Sequence, residues 1–303
     1  MNKKEFTIES SYDALPLSCL LYEPNGVPKG IVQILHGMCE YKERYIEFME
    51  FLCENGYVAV IHDHRGHGDS VRSVEDLGWF GDYDGEAVVD DAYKISLYVK
   101  EQYPNVPLTL LGHSMGSLVA RCYVRTHDDV IDKLIVSGSP SKNPLTGVAI
   151  GVEKTMRFFR GPRFRSRLLI YLTTGKGDKK FPGEGKSAWL SKNRESINAF
   201  FADPKSKCYF TCNAFENLFK LLKRTYVRKG YEVKNPKLPI HFIAGGDDPI
   251  IEGAKKWFDS IEFMKSLGYE AVSGKLYDGM RHEVLLEIER AQVHQDLLAF
   301  IEQ

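Results

Sequence analysis

The sequence predicts an α/β fold in which a mostly parallel sheet of about eight strands carries helices on both faces and a helical insertion. Three observations support this. Short apolar runs alternate with helical patterns from residue 30 to 138, and again from 238 to 301. The pentapeptide Gly112-His113-Ser114-Met115-Gly116 stands between one such run and a helix. From 141 to 228 the alternation stops, in a stretch rich in aromatic residues and without a convincing buried strand.

The first 30 residues read as a hairpin, with Phe6–Ser10 and Leu17–Tyr22 as strands and Asp13-Ala14 in the turn. Strands follow at Gly30–Leu35 and Tyr57–Ile61, and the helix between them runs from Arg44 to Glu54, where Asn55-Gly56 closes it. A helix from Gly85 to Tyr103 carries its acidic residues early, in keeping with the helix dipole, and Pro104 follows its end. Val106–Leu111 is the strand that enters the pentapeptide, and a helix opens at Ser117. Lys133–Gly138 is the next strand. Beyond the insertion come strand Leu238–Ala244, helix Gly253–Leu267, strand Val272–Tyr277 and helix Arg290–Ile301. Residues 1–140 and 229–303 are therefore expected to form the core, and residues 141–228 a helical cap over the strand ends.

Bulk properties exclude several classes. The chain has 303 residues, 43% apolar and 27% charged, with a net charge of -1. That balance favours neither nucleic acid nor an anionic surface as a global partner. Two lysines near the start precede no apolar stretch, and no run reaches the ~18 apolar residues of a membrane span. The six cysteines (19, 39, 53, 122, 208 and 212) show no metal-type spacing, which fits reduced thiols in a cytoplasmic enzyme.

Gly-x-Ser-x-Gly between strand and helix is a nucleophile elbow. The sharp turn forces the serine into a strained backbone conformation, and glycine two before and two after removes collisions with the flanking elements. A serine hydroxyl needs a base, and the base needs an orienting acid. In this architecture both come from loops after the last strands, in the order Ser, Asp, His. One such loop is Gly246-Asp247-Asp248-Pro249, the other Asp278-Gly279-Met280-Arg281-His282. His282 is the base. Spacing from Gly245 selects Asp248 as the acid, with Asp247 as the alternative. The oxyanion needs two backbone N–H donors, and Met115 and Met38 are the candidates.

The remaining histidines read as structural. His113 should point into the packing beneath the elbow, and His36 should hydrogen-bond backbone in the oxyanion loop. His62, His64 and His67 suggest a metal cluster, but the intervening Arg65 and turn glycines favour a hydrogen-bonded turn. His127, His241 and His294 read as surface or packing residues. No metal or cofactor is expected.

Leu35-His36-Gly37-Met38-Cys39-Glu40 and the following Arg44-Tyr45 resemble the oxyanion segment of monoacylglycerol lipases and bacterial lysophospholipases of the α/β-hydrolase fold. Asp63-His64-Arg65-Gly66-His67-Gly68-Asp69-Ser70 is similar to a turn of the same group, and the elbow, Asp248 and His282 loops match as well. The resemblance implies ester hydrolysis through an acyl-serine, without cofactor, under an apolar cap. It also implies that Glu40 and Arg44 support the Gly37 loop as an ion pair; the plain alternative is a solvated pair at a helix start. The chain departs from the animal lipases where bulky Met38 and Cys39 replace small residues.

Within the cap, residues 154–176 carry Lys154, Arg157, Arg160, Arg163, Arg165, Arg167 and Lys176 among apolar side chains, with no acidic residue. Such a segment suits an anionic lipid surface. Alternatively it is a helix pair with one solvated face. The expected substrate is a small acyl ester. The competing functions are an amidase or aminopeptidase resembling proline iminopeptidase, which would need a cap carboxylate among Glu184, Glu195, Asp203 and Glu216, and a hydrolase-fold binding protein without catalysis.

Overall fold

The computed structural model describes residues 1–82, 85–173, 175 and 177–303. Eight strands form one sheet: β1 (Asn2–Glu9), β2 (Pro16–Glu23), β3 (Gly30–Leu35), β4 (Tyr57–His62), β5 (Leu108–His113), β6 (Lys133–Ser137), β7 (Ile240–Gly245) and β8 (Val272–Tyr277). Their order is β1-β2-β4-β3-β5-β6-β7-β8. The β1–β2 and β2–β4 pairs are antiparallel and the other pairs are parallel.

β3, β4 and β5 are buried at every position, as strands covered on both faces must be. Alternate residues feed two cores. Ile31, Val58, Val60, Leu108 and Leu110 join α2 (Glu86–Gln102), α3 (Met115–His127) and α8 (Ala254–Leu267) on one face. Val32, Ile34, Ala59, Ile61 and Leu111 join α1 (Ile46–Glu54) and α9 (Arg290–Glu302) on the other.

The sequence placed most element centres and missed several ends. β1 begins at Asn2, where it pairs with Glu23, earlier than the apolar pattern suggests because its first residues are solvated. A single 3-10 turn, Lys42–Tyr45, precedes α1 in place of its expected first turn. β5 runs through Gly112 and His113, and α3 starts at Met115, so Ser114 is the single hinge between them.

Between β6 and β7 lie α4 (Thr146–Arg160), α5 (Arg167–Thr173), α6 (Arg194–Ala202) and α7 (Cys212–Thr225). No strand interrupts them among the described residues. α7 buries Phe215, Phe219 and Leu221 in the first core. α4 buries Glu153 alone and leaves Phe158 83% and Phe159 75% exposed.

Candidate active site

Ser114 has φ 53° and ψ -116°, a left-handed backbone that costs a non-glycine residue on the order of 1–3 kcal/mol. The flanking glycines are required by contact. A Cβ on Gly112 would lie 2.3 Å from the Gly116 carbonyl oxygen, and one on Gly116 would lie 2.0 Å from that of Leu35. The Ser114 N–H donates to Ser137 O at 2.9 Å, which pins the hinge to β6. The backbone of the serine is thus fixed by its own turn and by β6.

His282 stands on the loop after β8 and Asp248 on the loop after β7. His282 Nε2 lies 2.9 Å from Ser114 Oγ, and its Nδ1 lies 2.8 Å from Asp248 Oδ2. Asp248 is buried and also accepts the Ile250 N–H at 2.8 Å, whereas Asp247 is exposed. Of the two neighbouring carboxylates, Asp248 is the one brought to His282. Burial opposes a charge on His282, but Asp248, followed by Glu283 and Glu40, outweighs it and holds the imidazole above its ordinary value. His113 lies beneath, its ring 4.8 Å from that of His282 and its Nδ1 3.2 Å from Ser137 Oγ. Gly138 makes room for both rings, since a Cβ there would meet each at 3.2 Å.

Met115 is the first residue of α3, where a backbone N–H has no intrahelical acceptor. Met38 follows Gly37, whose missing Cβ would fall 3.2 Å from the Ser114 Cβ, so the loop passes directly over the serine. Glu40 braces this loop: it accepts the Gly37 N–H at 2.6 Å and the Tyr45 hydroxyl at 2.7 Å, and it pairs with Arg44. The Glu40 and Arg44 side chains are each 5% exposed, so the solvated-pair alternative is ruled out.

His36 bonds the Gly37 carbonyl through Nδ1 at 2.8 Å and accepts the His64 N–H through Nε2 at 2.9 Å. It thereby joins the oxyanion loop to the turn at 63–70. In that turn His67 Nδ1 lies 3.1 Å from Arg65 O, and Arg65 is buried against Asp91 at 2.7 Å. His62 and His64 pack ring against ring at 4.9 Å, and do not converge on a common point with His67. Among the described residues, the group that does converge is Glu43, Asp63 and Asp69. The Lys42 ammonium sits among these carboxylates, at 3.0, 2.9 and 2.6 Å. His127 stacks on Tyr93, His241 bonds Ser273, and His294 bonds Leu285 O.

Three participants escaped the sequence reading. Glu283, next to His282, takes both Arg44 guanidinium nitrogens at 2.7 and 2.8 Å. Trp189, from the insertion, sets its ring 5.2 Å from the His282 ring and accepts the His282 N–H at 3.4 Å. Glu287, fully buried, accepts backbone N–H groups from Arg281 and Lys192 at 3.0 Å. The charge of Glu283 beside the histidine was the one available signal. The partners of Trp189 and Glu287 are too distant in sequence to pair by pattern.

An open, mostly parallel sheet with a serine elbow after β5 and Asp and His loops after β7 and β8 defines an α/β-hydrolase with a Ser-His-Asp constellation. The chain belongs to the family described as serine aminopeptidase, S33, whose model matches residues 26–289. It is 25% identical over 294 residues to the monoglyceride lipase of Rattus norvegicus, covering 93% of this chain and 86% of that one. It is 25% identical over 283 residues to phospholipase YtpA of Bacillus subtilis, covering 91% and 96%. Its fold matches a thermostable carboxyl esterase from Bacillus coagulans, solved with glycerol, with a TM-score of 0.89 at 24% identity over 100% of this chain and 98% of that one.

Proposed function

We propose that the protein hydrolyses carboxylic esters of lipid-like or small acyl groups through an acyl-enzyme on Ser114. Ser114 Oγ attacks the substrate carbonyl carbon while His282 Nε2 takes its proton. The Met38 and Met115 N–H groups stabilise the oxyanion. Collapse expels the alcohol, which receives the proton from His282. A water molecule, deprotonated by the same imidazole, then attacks the acyl-serine, and the carboxylic acid leaves as His282 returns the proton to Ser114 Oγ. Asp248 fixes the imidazole tautomer throughout and balances the imidazolium. The observation that supports this reading is the Ser114–His282–Asp248 relay at 2.9 and 2.8 Å on a strained serine backbone.

The named relatives support esters over amides, and so do the insertion's carboxylates. Glu184 is paired with Arg281, Glu216 with Arg157, and Asp203 caps the Lys205 N–H, which leaves Glu195 at the start of α6. Three of the four candidates for holding a substrate amine are thus engaged. Comparing p-nitrophenyl butyrate with an aminoacyl p-nitroanilide tests the choice: the ester is expected to turn over, and hydrolysis of the anilide alone would reject it.

In this reading residues 1–140 and 229–303 are the hydrolase core and 141–228 the cap that receives the acyl chain. The six cysteines are all free, which supports a reducing, cytoplasmic setting. Among the described residues no helix is long and apolar enough to cross a membrane. For surface contact with lipid, α4 and α5 present Phe158, Phe159 and Leu168 beside exposed Lys154, Arg160 and Arg167. The other arginines of the segment are engaged: Arg157 with Glu216, Arg163 with Asp76, and Arg165 with backbone carbonyls of Glu75 and Leu77. Lys176 lies outside the described residues. Anionic vesicles are expected to sediment the protein more than zwitterionic ones, with salt weakening the effect; equal sedimentation would reject this contact.

A further inference from the structure

We propose that Glu283 is a positioning residue that couples the loop of the base to the loop of the oxyanion hole. The proposal rests on the serine-hydrolase reading above and extends it to a residue outside the triad.

A continuous buried chain of charges joins the two loops. It starts at the Gly37 N–H, which donates to Glu40 Oε2 at 2.6 Å. Glu40 pairs through its other oxygen with Arg44. Arg44 spends both terminal nitrogens on Glu283, at 2.7 and 2.8 Å, and its guanidinium lies 4.4 Å above the Phe200 ring. Arg44 and Glu283 side chains are 5% and 4% exposed, so water does not compete for either. Glu283 is covalently next to His282, and its own N–H donates to Leu190 O at 2.8 Å.

Each link has a consequence. The bidentate pair fixes the guanidinium plane, which a single contact would leave free to rotate. A fixed Arg44 holds Glu40 in the orientation that grips Gly37, and Gly37 sets the direction of the following Met38 N–H. The same pair ties down the backbone that carries His282. Misplacing either the base or the oxyanion donor by about 1 Å costs on the order of 100-fold in rate. The charges are also disposed to suit the reaction. Arg44 lies between Glu40 and Glu283, so Glu40 approaches the oxyanion loop partly neutralised. Glu283 stands on the side where the imidazolium forms. Around His282 the ionisable neighbours are Asp248, Glu283 and Glu40, with His113 beneath the ring.

Glu283→Gln keeps the shape and removes the charge. With active sites counted by fluorophosphonate titration, kcat is expected to fall about 10-fold or more with KM little changed. The acid limb of the kcat profile is expected to move to lower pH, since a carboxylate that raises His282 has gone. A local packing defect alone would not shift that limb. The double variant Glu283→Gln/Arg44→Lys is expected to lose less than the product of the single losses, because both act through one contact. If Glu283→Gln fails to fold, Glu283→Asp keeps the charge and withdraws it from Arg44: lowered kcat with an unmoved acid limb supports the coupling, and unchanged kcat overturns it. A folded Glu283→Gln enzyme with kcat within about twofold of the parent and the same acid limb overturns it as well. Failure of the parent enzyme to label and to hydrolyse esters would instead reject the serine-hydrolase reading.

Discussion

Residues 187–225 and residues 146–173 belong to one insertion, yet different chemistry holds each to the core. The first stretch is fastened by buried, largely backbone hydrogen bonds. Trp189 and Leu190 carbonyls accept the His282 and Glu283 N–H groups, Lys192 N–H meets Glu287, and Thr211 N–H reaches Gly78 O at 3.0 Å. Asn213 Nδ2 adds Gly81 O at 2.9 Å. The second stretch packs Leu169, with Ile150, Val152, Met156, Phe164 and Ile170, against the first core, and its polar ties to the core come from charged side chains near solvent, Arg163 to Asp76 and Arg165 to the carbonyls of Glu75 and Leu77. Exposed ion pairs contribute about 0.2–1 kcal/mol each, whereas breaking a buried hydrogen bond to a charged group costs more. The polar contacts of one half of the insertion therefore belong to the site's scaffold, and those of the other half are the weaker ones.

The sharpest contrast is between chemistry and cover. His282→Ala is expected to lower kcat on the order of 10⁴-fold or more while leaving α4 and α5 in place, measured by ester turnover alongside hydrogen exchange. Next in size is Glu287→Ala, which strips the acceptor from buried N–H groups of both the His282 loop and the insertion. It should lower the unfolding free energy by about 3 kcal/mol in urea. A loss near zero would place residues 187–225 with the loosely held half.

The core beside the oxyanion loop and α4 of the insertion should respond to pH with opposite sign. At the end of β4 and in the turn at 63–70, burial pushes His62 down to about 3 and His67 down to about 4, from an ordinary 6.5. The unfolded chain binds the extra protons, so this stability is present above about pH 6.5 and is lost as pH falls towards 4 and 3. On α4, burial followed by nearby Glu216 moves Glu153 up from 4.5 to about 7, with Arg157, Lys154 and Lys220 opposing. There the folded form binds the proton more tightly, so its contribution is full below about pH 4.5 and disappears as pH rises through 7. Urea midpoints should fall from pH 7 to 5. Exchange in α4 should quicken from pH 6 to 8 beyond the intrinsic rate, and Glu153→Gln should abolish that excess.

The smallest expected effect is on stability at the outer face. Phe158→Ser with Phe159→Ser should change unfolding free energy by less than about 0.5 kcal/mol, because both rings are largely solvated. The same pair should lower activity on long-chain esters relative to butyrate, and a proportional loss on both would remove α4 from substrate capture.

Local chemistry made much of this legible in the sequence. Short apolar runs located the strands, and Gly112 and Gly116 declared a turn in which no Cβ fits. Asp248 and His282 were readable because each lies in a short segment with its own logic, whereas the Glu40–Arg44 pair was implied only by the family resemblance. Glu283 was not readable, because its meaning depends on Arg44, far away in sequence. Trp189 and Glu287 were hidden for the same reason. The ends of β1 and the start of α3 were missed where solvent exposure, or the single strained hinge at Ser114, replaced a periodic signal.

The proposed chemistry turns on Ser114 acting as the nucleophile. Mass spectrometry after fluorophosphonate treatment, run beside ester turnover for the parent and Ser114→Ala, tests it directly. A single adduct on Ser114 and no turnover in the variant are expected. An adduct on another residue, or ester hydrolysis that survives the substitution, would contradict it.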